Sequence, residues 1–521
     1  MPALTPKWIN GSLYYYLRRC QRVDGKPKIV ETIYLGSAEQ IASSCRLAKS
    51  LSRPKSVRAV SFGDVAALFD QASALGLADF IDAQLPKRHQ GLSVGQYLVL
   101  AAINRAACPT SKAQLAHWYQ GTALTHLLPA SQEQLSSQTF WNHMERIKEA
   151  DITAIEDQIS THLVKHLGLD LRTLVYDGTN FFTYINTCNP ATLPARGHNK
   201  QKRGDLRQVS LGMLVSTDFH VPLLHKLYTG NVPDTTAFQT ISQQLCQRYE
   251  ALSQGCEHIT LIFDKGNNSP QAFETLGKSG FHFIGSLVAS DHADLLEVPL
   301  EKFHLLKDPH LEDCQAWRTR KELYGQMRTV LVTYNPQLLE GQLQGISANL
   351  QKASRKLEVL QTQLKRRQAG EIKGGRAPTV ASLDKKVAGL LSAQHLKVLL
   401  RVQVSPPKGN CKVPELTFQI DEAALAQLSS TQLGKTILFT DNEDWSDEEI
   451  VLGYRAQHHI ESAFRDMKNP HFLSWSPLFH WTDSKIRVHG FYVGVQTNLH
   501  NFARAKLHNF LICSIDKHVW R

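Results

Sequence analysis

The chain has 521 residues, 42% hydrophobic and 20% charged, an ordinary globular composition that at this length suggests three or four structural units. The longest apolar stretch, Tyr97 to Ile103, is far short of the about 18 residues a membrane-spanning helix needs. The opening MPALTPKWINGS lacks the basic and apolar regions of a secretory signal, and nine cysteines without a Cys-x-x-Cys pair speak against a zinc ribbon and fit a reducing compartment. A soluble intracellular protein is expected.

The formal charge is +11, and it is unevenly spread. Residues 1–58 carry eleven Lys/Arg against three acids, and a second cluster, Arg196, Lys200, Lys202, Arg203 and Arg207, is opposed only by Asp205. Clustered cations suit a polyanion backbone, because each phosphate contact releases condensed counterions, although a solvated basic surface has the same composition.

In chain order, two alternating runs on either side of Asp24-Gly25 predict a β-hairpin. Residues 60–165 read as helical. Val65, Leu68, Phe69, Ala72 and Leu75 fall on one face, Gly76 is a stop, and Ser93 with Gln96 and Ser111 with Gln114 are candidate capping boxes. From 171 to 288 the pattern predicts three strands, a helix near 235–253, a strand, a short helix and a strand, which is the strand order of a ribonuclease H-like sheet. Asp177 closes the first apolar run and Asp264 the fourth. Leu339, Leu343, Ile346, Leu350, Ala353, Leu357, Leu360 and Leu364 form a heptad seam, and Leu383, Val387 and Leu390 suggest a helix returning along it. Ser446 with Glu449 caps a helix expected to run from 447 to 468.

On that last helix Tyr454, Glu461 and Lys468 are spaced by sevens and share one face, with Gln457 or His458 and Arg465 in the same stripe. Taken alone the stripe reads as a solvated face with a Glu461–Arg465 pair. The first and fourth strands of the proposed sheet are neighbours, however, so Asp177 and Asp264 lie side by side and Glu461 supplies a third carboxylate. Three converging carboxylates offer the hard oxygen donors that magnesium takes, and two such ions serve phosphodiester chemistry. Zinc hydrolysis through His458 and Glu461 lacks a third ligand at a patterned spacing.

The sequence resembles bacterial insertion-sequence transposases of the DDE type, the cut-and-paste group with a large insert and a Tyr-Arg-Glu-Lys signature. The resemblance covers nearly the whole chain. It is carried by Gly11 to Gly36, Pro109-Thr-Ser-Lys, Asp177-Gly-Thr, Gly197-His-Asn-Lys with Arg203 and Asp205-Leu-Arg-Gln, Gly230-Asn-Val-Pro-Asp, Phe263-Asp-Lys-Gly-Asn and, most specifically, Tyr454 to Lys468. It implies that Asp177, Asp264 and Glu461 are the catalytic, metal-binding acids for Mg²⁺ or Mn²⁺, two ions in all. It implies that Tyr454 and Lys468 hold DNA near the cleaved end, with Arg455, Gln457, Arg465, Lys200, Lys202, Arg203 and Arg207 as further DNA contacts. The signature arginine is Gln457 here, which loses the charge and the bidentate fork. Relatives also continue past the point where this chain stops, so a shortened copy is a second expectation.

The implied organisation is a basic hairpin arm (1–58), a helical DNA-binding domain (59–165), a ribonuclease H-like α/β core with a mixed five-stranded sheet (166–300 and 441–505), an insert (301–440) with a helical hairpin at about 336–398, and a tail (506–521). The implied activity is metal-dependent strand cleavage and transfer on terminal inverted repeats and target DNA, by a homodimer in a synaptic complex in the bacterial cytoplasm at the nucleoid. The competing readings are a catalytically inactive DNA-binding remnant and another ribonuclease H-like nuclease.

Overall fold

Two tight turns organise the first unit of the computed structural model, residues 1–60. Asn10-Gly11 and Asp24-Gly25 all take positive φ, the conformation that two-residue hairpin turns require. They join β1 (Pro2–Ile9), β2 (Ser12–Val23) and β3 (Lys26–Ser37) into an antiparallel sheet followed by α1 (Ala38–Ser50). The sequence pattern gives β2 and β3 but omits β1, whose two prolines mask a strand that sits at the sheet edge, where missing donors cost little. The structure describes residues 2–50, 57–85, 91–253, 258–372, 374–407, 412–476 and 478–518, so Arg53 and Lys55 of the basic cluster lie outside the described residues.

The second unit, residues 61–521, begins with seven helices: α2 (Gly63–Ala74), α3 (Leu77–Gln84), α4 (Val94–Ala107), α5 (Leu115–Gln120), α6 (Leu124–Leu127), α7 (Ser137–Met144) and α8 (Glu149–Leu167). Ser93 and Gln96 form a reciprocal capping box, and Gly76 takes the left-handed conformation between α2 and α3. The second box does not form: Ser111 to Gln114 make a turn, and α5 starts at Leu115.

Five strands follow the order that the sequence pattern implies, with two helices between them: β4 (Thr173–Thr183), β5 (Arg207–Ser216), β6 (Pro222–Thr229), α9 (Asp234–Ser253), β7 (Thr260–Ile262), α10 (Pro270–Ser279) and β8 (His282–Ser286). β5 pairs antiparallel with both β4 and β6, whereas β4–β7 and β7–β8 are parallel. The sheet does not end at five strands. After α11 (Ala293–Leu296), the strands β9 (His304–Leu305), β10 (Gln315–Leu323) and β11 (Gln326–Tyr334) come from the insert. The insert continues with α12 (Pro336–Gln368), α13 (Val380–Leu390), α14 (Leu396–Leu399), β12 (Leu400–Ser405), β13 (Glu415–Ile420) and α15 (Glu422–Thr431), and returns through β14 (Lys435–Thr440). The full order β6-β5-β4-β7-β8-β14-β11-β10-β9 makes nine strands, because β14 pairs antiparallel with β8 and carries the insert strands onto the open edge. The middle of the insert, α12 to α15, has its own core, in which Leu350, Leu357, Leu383 and Leu399 are buried.

The chain closes with α16 (Asp447–Arg455), α17 (Gln457–Lys468) and α18 (Asp483–His518). The single helix expected over 447–468 is two, divided at Ala456, and residues 506–518 of the expected tail continue α18. Helices α2 to α8 do not form a separate head. They share one hydrophobic core with the sheet and α18, spanning Val65 to Phe502. Buried Arg105 of α4 donates to the Ser476 carbonyl, and buried Lys112 donates to the Tyr492 hydroxyl of α18 while lying over the Phe140 ring at 4.9 Å. Among the described residues no helix is long and apolar enough to cross a membrane.

The helix–helix seam carries a pH signature. Burial pulls His480 down to about 3 and His489 well below the usual histidine value, and the nearby Lys112 and Arg105 charges push both in the same direction. In the unfolded chain both imidazoles titrate near pH 6.5. Between about pH 3 and 6.5 the unfolded state therefore binds more protons, and stability rises with pH by about 1.4 kcal/mol per unit for each such group. Urea unfolding at pH 4.5 to 7 is expected to show a steep acid loss that His489→Gln makes shallower, whatever it does to absolute stability. An unchanged slope would contradict a neutral buried His489.

Candidate active site

The three parallel strands set the site. Val175 lies opposite Ile262, and Ile262 opposite Ile284. Side chains two residues apart share a face, so Asp177, Asp264 and Ser286 stand in one row, level with the carboxyl ends of β7 and β8. Asp177 does not close its strand, as the apolar pattern suggests. β4 continues to Thr183 along β5, and Asp177 is terminal only relative to β7, which stops at Ile262. Asp264 caps a short 3₁₀ turn, accepting from the Lys265 amide at 2.8 Å and from the Ser286 hydroxyl at 3.2 Å. Asp177 accepts from the Gly178 amide at 2.7 Å.

Helix α17 packs across β4 and β5. Ile460, Ala463, Phe464 and Met467 are buried there, and Glu461 points away from that stripe, exposed. Among the described residues no hydrogen bond or ion pair engages its carboxylate, so the Glu461–Arg465 pair is not formed. Tyr454 lies near two of the acids, Asp264 and Glu461. Burial pushes its phenol up to about 12, and the charges of Asp264 and Glu461 add to the rise. Its phenol interacts with Asp264 and Ser286. Lys468 donates to the Thr179 hydroxyl and lies 5.7 Å from the Phe181 ring. Burial and the charge of Lys200 lower its pKa, while Asp177 opposes the shift. Asp177, Asp264, Glu461, Tyr454, Lys468 and Lys200 thus gather at one end of the sheet.

The other expected DNA contacts divide. Lys200, Lys202, Arg203 and Arg465 are exposed, Arg203 in a 2.7 Å ion pair with Asp205. Arg207 is engaged internally, donating to the carbonyls of Pro194 at 2.7 Å, Asn189 at 3.1 Å and Ala191 at 2.5 Å. Arg455 is also engaged, on the His310 carbonyl at 3.0 Å and the Cys314 sulfur at 2.8 Å. Gln457 is half-buried, and its Nε2 has no hydrogen-bond partner among the described residues. Ser286 was not singled out from the sequence because it lies inside the fifth run, Phe281 to Leu287, and Thr179 was quoted only within Asp177-Gly-Thr, with no role of its own.

Among the described residues no three His, Cys, Asp or Glu side chains are grouped tightly enough to enclose a metal ion, for zinc or for the acids. The donor chemistry still fits magnesium or manganese. Mg²⁺ keeps several waters and is commonly held by only one or two carboxylates. A cleft of about 550 Å³ lined by Asp170, His258, His282 and Glu449 lies at the opposite, amino ends of β4 and β8, away from these acids.

The chain belongs to the Transposase DDE domain family, whose profile matches residues 170–476, from just before β4 to just past α17. No curated protein matches the chain. Among solved structures, a piggyBac transposase synaptic complex with hairpin DNA is 8% identical, with a TM-score of 0.36 over 85% of this chain and 75% of that one. A Mos1 transposase paired-end complex with the left transposon end is 13% identical, with a TM-score of 0.16 over 38% of this chain and 60% of that one.

The loop bearing Lys200 rests on glycine contacts. A Cβ at Gly197 would lie 2.0 Å from the Gly230 carbonyl oxygen, and one at Gly230 would lie 2.0 Å from that of Gln208. Backbone cannot yield as a side-chain tip does, so Gly230→Ala is expected to lower the unfolding free energy by about 1–3 kcal/mol in urea titration. A variant as stable as wild type would show that the loop does not pack this way.

Proposed function

We propose that this protein is a transposase that binds the terminal inverted repeats of an insertion sequence and cleaves and joins DNA strands in a divalent-metal-dependent reaction. The observation that carries this reading is the row of Asp177 and Asp264 with Glu461 nearby, flanked by Lys468 and Lys200. It is the chemistry of a phosphodiester site: carboxylates for cations, and cations for phosphate.

Asp177, Asp264 and Glu461 would hold the metal. When bound, a divalent ion supplies Lewis-acid stabilisation of phosphate oxygens and makes a water or 3′-hydroxyl a better nucleophile. The chain's own part is positional. Ser286 donates to Asp264 and fixes its orientation, and Tyr454, protonated throughout the neutral range, interacts with the same carboxylate. Lys468 is tied to Thr179 close to Asp177, where it neutralises charge on an approaching strand. Lys200, Lys202, Arg203 and Arg465 form the exposed phosphate-contacting set. DNA with both ends paired, bound by a homodimer at the nucleoid, completes the proposal.

The test is cleavage of end-containing duplex in Mg²⁺ or Mn²⁺. Asp177→Asn, Asp264→Asn and Glu461→Gln keep shape and remove a charged ligand. Each is expected to lower cleavage by at least a thousandfold with duplex affinity within a few-fold of wild type, and EDTA is expected to stop the wild-type reaction. Cleavage within tenfold of wild type in any one of them contradicts the triad. Duplex binding without cleavage by the wild-type chain identifies it as a DNA-binding remnant instead.

A further inference from the structure

Among the sites the proposed chemistry does not use, the insert's helical hairpin stands out. On one side α12 is covered: Gln361 donates to the Leu416 carbonyl at 2.9 Å and Gln368 to that of Pro414 at 3.2 Å, both on or beside β13. Residue 359 is two positions from 361, about 200° round the helix, so it faces the other way. There α12 and α13 leave a groove of about 590 Å³ lined by Arg355, Lys356, Val359 and Leu360 of one helix and Lys386 and Leu390 of the other. Val359 on its floor is 58% exposed.

The charge says what covers this face. Residues 350–390 hold ten Lys/Arg against three Asp/Glu. Lys352, Arg355, Lys356 and Lys386 are exposed, and among the described residues none of them forms an ion pair. Lys352 and Lys356 are one turn apart on one face, and the cations of α12 run from Lys352 past the groove to Arg367, about 22 Å along the second half of the helix. A second copy of the same face would set cations against cations. A single acidic helix would match the groove but leave the rest of the row unpaired. An extended polyanion pairs with all of it.

We propose that the exposed face of α12 and α13 is a second DNA-binding surface, which tracks the backbone of duplex DNA without reading its sequence. The groove rim contacts phosphates, and the Val359 and Leu360 floor packs against deoxyribose. This rests on the reading that the chain handles DNA, but not on its chemistry, because binding is measured in EDTA. The probe is a labelled mixed-sequence duplex of about 20 base pairs without transposon ends, titrated with full-length protein at several salt concentrations.

A variant with Lys352, Arg355, Lys356 and Lys386 all changed to Gln keeps the exposed helix surface soluble. It is expected to bind at least tenfold more weakly, with the slope of log affinity against log salt reduced by two units or more, since each phosphate contact contributes about 0.9. A control that changes four exposed lysines elsewhere, Lys165, Lys278, Lys302 and Lys307, removes the same net charge and is expected to change the slope by less than one unit. Equal effects of the two variants overturn the proposal and reduce the hairpin to non-specific net charge. So does an unchanged duplex affinity with binding of an acidic peptide lost. Loss of cleavage in Glu461→Gln with this salt slope intact separates the surface from the site.

Discussion

The arrangement depends on the register of the three parallel strands, and that register is held from the face opposite the acids. Tyr176, Phe263 and Gly285 alternate with Asp177, Asp264 and Ser286. On their side lies an aromatic layer: Tyr176 against Phe238 at 4.9 Å, Phe238 against Phe263 at 4.7 Å, and Phe273 against Phe283 at 5.0 Å. Gly285 has no room for a Cβ, which would sit 2.7 Å from the Phe439 ring. A slip of one residue in any strand would drive an acid or Ser286 into this layer and a ring out of it. The polar row is the face left over once the aromatic face has packed.

Glu461 arrives by another route. The Ser446–Glu449 capping box starts α16, and buried Ile450 and Val451 seat it. At Ala456 the amide turns to the carbonyl of Gly453 as well as Leu452, and α17 begins anew. This break comes between Tyr454 and Gln457, so the seven-residue spacing from Tyr454 to Glu461 spans two helices rather than one straight face. Tyr454 still reaches Asp264 and Glu461 because it stays within about one turn of the break.

What the sequence made legible follows where periodicity is strong. The five strands and their order, the heptad of α12, Gly76 as a stop and the boxes at Ser93 and Ser446 could all be read, because each depends on local spacing. Features set by distant partners could not. The extension of the sheet by β14, β11, β10 and β9 needs the pairing of Leu438 with Ser286, across the whole insert. α18 has no one-sided stripe, because it is buried all round, with polar Gln496, Thr497 and Asn498 among Phe491, Tyr492, Val493 and Val495, and a helix buried on every face shows no amphipathic period. Of the candidate site, Asp177 and Asp264 stood out as closures of apolar runs and Glu461 as one member of a helix stripe. The internal roles of Arg207 and Arg455 were not, since an arginine on loop carbonyls and one on a phosphate look alike in sequence.

Those roles also explain how so large an insert leaves the acids in place. Asp264 and Glu461 are 461 − 264 = 197 residues apart. A flexible loop of that length would cost closure entropy and fix nothing. Here the chain leaves β8 and returns as β14, paired directly with β8 through Leu438 and Ser286. The insert strands then hold the following helix. Arg318 of β10 donates to the Trp445 carbonyl at 2.8 Å and pairs with Asp447 at 3.1 Å, and Arg455 at the end of α16 bonds back to His310 and Cys314. Both ends of α16 are therefore tied to the segment that interrupts the fold. The distance that matters for Glu461 is one strand and one helix from β8, not 197 residues, and a change at Arg318 or Arg455 would reach the carboxylate through α16 without touching it.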